Sequence, residues 1–349
     1  MPQGVVNPAV AALASRVAAL PTGERPEGVL ILGGGFSGLR IGRALAAAGI
    51  PVTLTHRTVR PGRDGTTIAT GERPDEAAGL LRWLPLDGSP ITLQGAPVPD
   101  TISHLLSTIP PDAEGNDPAL TLLGNQLERL PLRWVGYLST TGVYGDQQGG
   151  WVDETTATDR CRNRSQARLE SERTWEARGW PLQRFRLPGI YGPGRCPFAN
   201  LLQGRARLIH KPGQMFSRIH VDDIAGAVLH NLLLPTAQRP AVLNVADDCP
   251  CPSSETLAFA AHLLARKLPV FERYEDVADS LSPMARSFWQ ESRRVSNRLL
   301  CRTLGYRLIH PTYREGFRAS LAEERAGMLP AQDQRHSDGL PANAVPARS

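Results

Sequence analysis

Short apolar runs alternate along the chain with stretches in which apolar residues recur at helical spacing. Apolar and β-branched runs predict buried strands, whereas recurrence at i, i+3 and i+4 predicts helices with one buried face. The predicted strands cover residues 28–32, 51–55, 102–111 and 132–139. The predicted helices cover 8–20, 37 to the stop at Gly49, about 75–84, 118–130, 224–234, 254–268, 292–304 and 312–327. This alternation predicts an α/β fold with a Rossmann-type, doubly wound parallel sheet.

The two ends of the chain carry different patterns from this alternating region. Residues 1–26 are interpreted as an N-terminal helix and a linker, and residues 27–328 as the α/β domain. Residues 329–349 are rich in proline, alanine and polar residues without periodicity, which predicts a disordered tail. The N-terminus lacks a basic region ahead of its apolar part, and Arg16 interrupts that part, so no signal peptide is expected.

Composition excludes several classes of partner. The net charge of +5 is mild for 349 residues, and no basic run interleaved with aromatic residues predicts nucleic-acid binding. The apolar runs are too short to cross a membrane. The five cysteines, which lack the spacing of a zinc site, predict reduced thiols in the cytoplasm and no metal. The oligomeric state is left open.

A glycine-rich segment follows the first predicted strand. Gly33, Gly35 and Gly38 give G-x-G-x-x-G between that strand and the next helix. The first glycine permits a tight turn, the second lets a pyrophosphate approach the backbone, and the third lets the helix pack on the strand. The helix N-terminus then offers amide groups to phosphates. The segment therefore predicts a dinucleotide site, with a glycine-rich structural turn as the alternative.

The second predicted strand ends at Arg57, nineteen residues after Gly38. An acidic residue near this position binds the ribose 2′-hydroxyl of NAD, whereas an arginine suits the 2′-phosphate of NADP. Arg57 therefore favours NADP over NAD, unless it is only a surface arginine. Because ligands bind beyond the carboxyl ends of such strands, residues 33–38, Arg57, 107–111 and 139–144 are expected around one crevice.

Several further motifs carry a resemblance to a known family. Residues 139–145 read Ser-Thr-Thr-Gly-Val-Tyr-Gly, and 151–154 read Trp-Val-Asp-Glu. Residues 185–195, 218–223 and 243–247 follow in the same order, as FRLPGIYGPGR, RIHVDD and LNVAD. Together these segments resemble the extended short-chain dehydrogenases/reductases, the NAD(P)-dependent epimerase/dehydratase family that includes nucleotide-sugar epimerases. The resemblance implies a smaller C-terminal substrate lobe, formed mainly from about 186–328, and hydride transfer at an alcohol or carbonyl, such as that of a sugar nucleotide.

The chain departs from this family at two places. Leu32 stands where the family usually has its first glycine, so the glycine spacing is that of atypical members. The family's catalytic Tyr-x-x-x-Lys is replaced by Arg164 and Arg168. The chain's lysines, Lys211 and Lys267, have no tyrosine four residues before them, so the motif has not moved elsewhere.

The resemblance nevertheless implies roles for the residues that remain. Thr140 would orient the substrate oxygen, and Arg168 would hold the nicotinamide ribose. Arg164 cannot shuttle protons because guanidinium stays protonated, which leaves Tyr144, usually structural in the family, as the candidate acid or base. The cofactor-binding residues are then predicted as Gly33, Gly35, Phe36, Ser37, Gly38, Arg57, Ser107, Ile109, Pro110, Ser139 and Arg168.

The second half of the chain is rich in arginine, which suits an anionic substrate. Tyr191, Arg195 and Arg218 lie inside the family-like segments and are predicted to bind substrate. Asp222 and Asp223 could ligate a metal, but a helix follows at once, so the interpretation preferred for them is that of N-caps.

Two alternative functions remain open. The lost Tyr and Lys favour a dinucleotide-binding sensor or scaffold without turnover. The segment GGGFSGL also resembles the entry motif of flavin-dependent NADH dehydrogenases and monooxygenases. That reading requires an acidic residue at the end of the second strand, where His56 and Arg57 stand.

Overall fold

The computed structural model describes residues 6–57, 59–61, 67–69, 79–86, 101–112, 115–162 and 164–328. The predicted tail at 329–349 and the first part of the predicted helix at about 75–84 lie outside these ranges. No helix of the described ranges combines the length and the apolar character that a membrane crossing requires.

Seven parallel strands form the central sheet, in the order β13-β9-β7-β6-β1-β2-β5. Their bounds are β1 Val29–Leu32, β2 Val52–His56, β5 Leu81–Pro85, β6 His104–Ser107, β7 Trp134–Thr140, β9 Leu182–Leu187 and β13 Val242–Asn244. The order reverses between β1 and β6, which makes the carboxyl ends of these two strands a ligand-binding crevice in folds of this type. The predicted doubly wound parallel sheet is confirmed.

The described helices flank this sheet and build the lobe beside it. They are α1 Pro8–Ala18, α2 Phe36–Ala47, α3 Pro118–Leu127, α4 Arg164–Glu176, α5 Phe198–Leu202, α6 Val221–Leu233, α7 Ser253–Leu263, α8 Tyr274–Val277, α9 Pro283–Gln290 and α10 Tyr313–Met328. Thr141–Tyr144 is a 3₁₀ turn, as are Thr236–Gln238 and Ala278–Ser280, and Leu299–Thr303 forms a π-helical turn.

Short strand pairs complete the architecture. They are the antiparallel pair β3 Val59–Pro61 with β4 Thr67–Ala69, and the parallel pairs β8 Trp151–Val152 with β15 Arg294–Val295, β10 Gly189–Tyr191 with β12 Arg218–His220, and β11 Leu208–His210 with β14 Phe271–Arg273.

One apolar core lies on each face of the sheet, and a third core fills the lobe. The α1, α2 and α6 side of the sheet buries Ile31, Leu54 and Val228. The opposite side buries Leu30 and Trp175. In the lobe, aromatic residues of α5 and α10 pack together with residues of α7.

Two helix predictions are wrong. Residues 81–84 belong to the edge strand β5, which pairs with β2. Residues 292–304, predicted as one helix, form the short strand β15 followed by the π-helical turn. In both segments the apolar spacing suits either element, and pairing with a neighbouring strand decides the outcome.

A buried ion pair ties α4 to the sheet. Glu172 of α4 accepts hydrogen bonds from Arg186 of β9 at 2.7 and 3.1 Å and from the Ser139 hydroxyl of β7 at 2.5 Å. The side chains of Glu172 and Arg186 are 1% and 7% exposed. Removing one partner of such a pair leaves an uncompensated buried charge.

We therefore expect Glu172→Ala to lower the free energy of unfolding by about 3–5 kcal/mol. Glu170→Ala is the matched control, because Glu170 lies on the same helix and pairs with Arg173 in solvent, and it should cost less than about 1 kcal/mol. Urea unfolding of both variants measures the difference. Equal losses would show that the buried pair does not stabilise the contact of α4 with the sheet.

Candidate functional site

The glycine segment forms the turn from β1 into α2 at the carboxyl edge of the sheet. Gly33 has φ +99°, a conformation that favours glycine. A Cβ on Gly38 would lie 2.1 Å from the carbonyl oxygen of Gly33. Gly35 differs from both, because a Cβ there would meet no heavy atom of the described part of the chain within 4 Å. The segment is therefore closely packed at its first and third glycines and open to a ligand at its second.

Two threonines that sequence reasoning missed hold this turn in place. The Thr55 hydroxyl accepts the Gly33 amide at 2.8 Å, and the Thr108 hydroxyl donates to the Gly33 carbonyl at 2.8 Å. Trp83 of β5 packs over Gly34, since a Cβ there would lie 2.3 Å from the indole ring. The signals available in the sequence were a threonine at the end of the second predicted strand and another inside the third.

The N-terminus of α2 faces the same opening. Gly35 is its N-cap and supplies no side-chain hydrogen bond, and the first turn carries no acidic residue. Phe36 is half-buried and Ser37 is buried. Amide groups at such a terminus lack helical partners, so an anion can bind them.

The neighbouring strand ends supply further predicted cofactor residues. Arg57 is exposed and directly follows β2. Ile109 lies against Gly33, with its Cγ1 3.0 Å from the position of an added Cβ, and Pro110 is exposed. Ser107 is fully buried, and its hydroxyl has no hydrogen-bond partner among the described residues. The structure thus brings the ends of β1, β2 and β6 together as expected.

At the end of β7, Ser139 and Thr140 have different surroundings. The Ser139 hydroxyl points into the interior, where it donates to Glu172. Thr140 is half-buried, and its hydroxyl accepts the Gly142 amide at 3.1 Å. An added Cβ on Gly142 would lie 2.5 Å from the Ser165 hydroxyl and 3.3 Å from that of Thr140. Two hydroxyls therefore flank this turn, and sequence reasoning identified only Thr140.

Tyr144 ends the 3₁₀ turn and is completely buried. Its hydroxyl donates to Asn244 Oδ1 at 2.8 Å, and the Arg186 guanidinium carbon lies 5.0 Å from the ring centroid. Burial raises the pKa of the phenol, although the charge of Arg186 opposes the shift. These are the contacts of a packed side chain, and proton transfer by Tyr144 stays a prediction.

Helix α4 carries Arg164 and Arg168, the two arginines that the sequence analysis aligned with the catalytic pair of the resembled family. Arg164 is its first residue. Arg168, one turn later, is half-buried and reaches the sheet: one of its nitrogens donates to the Leu138 carbonyl at 3.0 Å and to the Tyr137 hydroxyl at 3.2 Å. Its guanidinium is thus fixed beside the end of β7.

The three predicted substrate residues lie in unlike surroundings. Tyr191 is buried in the lobe core, and its hydroxyl donates to the Thr312 carbonyl. One nitrogen of Arg218 donates to the carbonyls of Phe216 and Cys251 at 3.0 and 3.2 Å. Arg195 is exposed. Tyr191 therefore packs in the lobe core, and Arg218 connects backbone segments of the lobe through its hydrogen bonds. The substrate role of all three residues stays a prediction.

The preferred N-cap role of Asp222 and Asp223 is wrong. The N-cap of α6 is His220, whose Nδ1 accepts the Asp222 amide at 3.1 Å, so the helix begins earlier than expected and places both aspartates in its first turn. Asp223 accepts the amides of Ile309 and His310. Burial raises the pKa of Asp223 to about 6.

Asp222 belongs to a buried polar cluster. His220, Asp222 and His310 offer ligand-type atoms within 4.8 Å of one another. Arg40 Nε, however, already donates to Asp222 at 2.6 Å, and Asn7 Nδ2 does so at 3.0 Å. Burial opposes ionisation of Asp222, but the His310 hydrogen bond and the Arg40 charge lower its pKa to about 2. The carboxylate is therefore neutralised by a fixed guanidinium, an arrangement that does not suit a metal ion.

All five cysteines lie within the described ranges, and none of them is joined in a disulfide there.

Solved structures place this chain among known folds. A conserved protein of unknown function from Silicibacter pomeroyi is 40% identical, with a TM-score of 0.72 over 85% of this chain and 99% of that one. This chain belongs to the same family as that protein. No protein-family model matches the chain, and no curated protein does either.

More distant solved structures share the fold. MoeE5, in complex with UDP-glucose and NAD, is 20% identical, with a TM-score of 0.61 over 86% of this chain and 99% of its own. The human epimerase family protein SDR39U1, with NADPH, is 18% identical, with a TM-score of 0.62 over 84% and 99%. The family that this chain shares with the Silicibacter pomeroyi protein therefore has the fold of epimerase-type proteins.

The open space at Gly35 yields a test of the loop. We expect Gly35→Val to keep the fold, because the backbone there is extended and an added Cβ meets no heavy atom of the described residues within 4 Å. The same side chain would occupy the space beside the uncapped amides, so dinucleotide binding should be lost. Calorimetric titration with NAD and NADPH, beside a thermal melt, measures both properties. Wild-type affinity in the folded variant would make the loop purely structural.

Proposed function

We propose that this protein binds a nicotinamide dinucleotide and transfers hydride at an alcohol or carbonyl, as an atypical extended short-chain dehydrogenase/reductase. The observation that carries the proposal is the glycine turn, which is closed at Gly33 and Gly38 and open at Gly35, beside an uncapped helix N-terminus. Thr140 follows two strands away at the same edge of the sheet. The binding of NAD by MoeE5 and of NADPH by SDR39U1 supports the choice of cofactor class.

The residues present fit such a cofactor. The amides of Phe36 and Ser37 would receive its diphosphate, and Ile109 and Pro110 would border the same groove. Arg57, exposed just after the end of β2, would bind a 2′-phosphate. We therefore propose NADP as the preferred form of the cofactor. The same position lacks the acidic residue that the flavoprotein alternative requires.

When bound, the nicotinamide ring supplies the hydride donor or acceptor. Thr140 would orient the reacting oxygen of the substrate at the end of β7. Arg168, braced by Leu138 and Tyr137, would present positive charge to the ribose hydroxyls. Because guanidinium groups hold their protons, neither Arg164 nor Arg168 can act as the base. The proton must therefore move through Tyr144, a substrate group or water.

The substrate that suits this lobe is anionic. Arg195 lies over Phe36 at the start of α2, and Arg218 begins β12. Arginine binds phosphate or carboxylate with two parallel hydrogen bonds. MoeE5 was solved with UDP-glucose, and a sugar nucleotide is the substrate class we propose here. The free cysteines suit the cytoplasm, which remains the proposed location.

A binding protein without turnover is the second candidate. One support for it is that Tyr144 is completely buried and its hydroxyl already donates a hydrogen bond to Asn244. The other is the absence of the Tyr-x-x-x-Lys pair from the sequence. Such a protein would use the same dinucleotide groove as a sensor or scaffold. Cofactor binding is common to both candidates, so only turnover separates them.

Arg57→Ala tests the cofactor preference. Loss of a hydrogen bond to a charged group should weaken NADP binding by about 1.5–3 kcal/mol. NAD binding should hardly change, since NAD lacks the 2′-phosphate. Calorimetry with both cofactors gives the comparison, and equal losses would remove Arg57 from this role.

Thr140→Val and Tyr144→Phe test the chemistry. Thr140→Val keeps the side-chain shape and removes the hydroxyl, so turnover should fall while cofactor affinity holds. Tyr144→Phe should lower the rate about 10²–10⁴-fold if the phenol transfers the proton, and little if it only packs. NADPH consumption across a panel of alcohols, carbonyl compounds and sugar nucleotides is the measurement.

The double variant Arg164→Tyr with Arg168→Lys restores the family pair and completes the test. If hydride transfer lacks only its acid or base, this variant should exceed the wild type in turnover. If both proteins bind cofactor but neither consumes it with any substrate, the binding-protein candidate is correct.

A further inference from the structure

Arg195 lies beside the glycine turn rather than deep in the lobe. Its guanidinium carbon is 4.4 Å from the centroid of the Phe36 ring. Phe36 is the first residue of α2 and directly follows the open Gly35. The cation therefore lies over the side chain of a residue whose own amide belongs to the proposed phosphate groove.

The loop that carries Arg195 is held against α2 by its backbone. Gly192 has φ +151°, and a Cβ there would lie 3.1 Å from the Phe36 ring and 2.8 Å from Val221. The Arg195 amide donates to the Gly192 carbonyl at 2.9 Å. The Gly194 amide donates to Glu324 of α10 at 2.7 Å. Close packing and two hydrogen bonds thus fix the loop that presents Arg195.

Glu323, which precedes Glu324 on α10, contacts α2 directly. Glu323 accepts two hydrogen bonds from Arg40, at 2.8 and 2.9 Å. Arg40 lies on α2 one turn beyond Phe36. Two consecutive acids of α10 therefore hold two parts of the site: Glu323 binds α2 through Arg40, and Glu324 binds the loop that carries Arg195.

We propose that Arg195 is the second wall of the phosphate groove and binds the diphosphate of the dinucleotide opposite the α2 amides. This inference rests on the proposed function and reassigns Arg195 from substrate to cofactor. A guanidinium can pair with phosphate through two parallel hydrogen bonds, and its planar group can lie over an aromatic ring at the same time. Glu324 acts as a positioning residue for this loop.

The experiment compares ligands that contain a diphosphate with one that does not. NADP, NAD and ADP-ribose are titrated into wild type, Arg195→Gln and Arg195→Lys by calorimetry, and 2′-AMP is measured by competition. Arg195→Gln should weaken all three diphosphate ligands by a similar factor of roughly ten or more, the scale of a charge-assisted hydrogen bond. Binding of 2′-AMP should not change, and Arg195→Lys should recover part of the loss. Arg205→Gln, at an exposed arginine near the end of α5, is the matched control and should match the wild type.

Glu324→Gln tests the positioning role. It should weaken the three diphosphate ligands less than Arg195→Gln does. Because it acts through Arg195, its effect should vanish in the Arg195→Gln background, whereas a general structural loss would add to it.

Two results would overturn the inference. If Arg195→Gln binds NADP, NAD and ADP-ribose like the wild type, Arg195 does not bind the diphosphate. If the loss is confined to NADP and spares ADP-ribose, the diphosphate is not its partner. Failure of the proposed function itself has a different signature, since the wild-type protein would then bind none of the dinucleotides.

Discussion

The contact between α2 and the turn after β1 is the constraint on which the site depends. Gly38 lies so close to the Gly33 carbonyl that a single added carbon would fall 2.1 Å from it. This close approach lets the helix begin directly at the carboxyl edge of the sheet, so that its first amides face the crevice. The two threonine hydroxyls on Gly33 then fix the turn from β2 and from the segment after β6. The open position at Gly35 follows from packing that is tight on both sides of it.

Buried ionic contacts hold the remaining parts of the crevice in register. Glu172 and Arg186 join α4 to the sheet below Thr140. Arg40 joins α2 to α6 and α10 through Asp222 and Glu323. Glu172, Arg186, Arg40 and Asp222 are largely withdrawn from water, whereas Glu323 is 31% exposed. Each buried charge has its partner in place, which is the condition under which a buried charge is tolerated. The walls of the site are therefore set by elements from both ends of the chain.

The chemistry of the site follows from which proton carriers are present. If Arg164 and Arg168 stand in for the family's catalytic pair, as proposed, they would retain positive charge but remove a group that could exchange a proton near neutral pH. Arg168 reaches the end of β7 through its hydrogen bond to the Leu138 carbonyl. Tyr144, which sequence motifs suggested as a substitute, is enclosed by Arg186 and Asn244. Under the proposed function the site would hold a dinucleotide and an anion, and the group that carries the proton would distinguish an enzyme from a binding protein.

The sequence by itself determined the sheet class, the glycine turn and the strand ends that surround it, because these are encoded in local periodicity and in glycine at fixed spacing. It did not determine the secondary structure of residues 81–84. Their apolar spacing suits a helix as well as a strand, and they form an edge strand because they pair with β2. Nor could it reveal the pairing of Arg40 with Asp222, which lie 182 residues apart, or the position of Arg195 over Phe36. Such contacts leave no local pattern in the sequence, because the residues that flank each partner do not indicate which distant residue it will contact. Only the tertiary structure decides them, because burial and proximity of charges arise when distant segments pack.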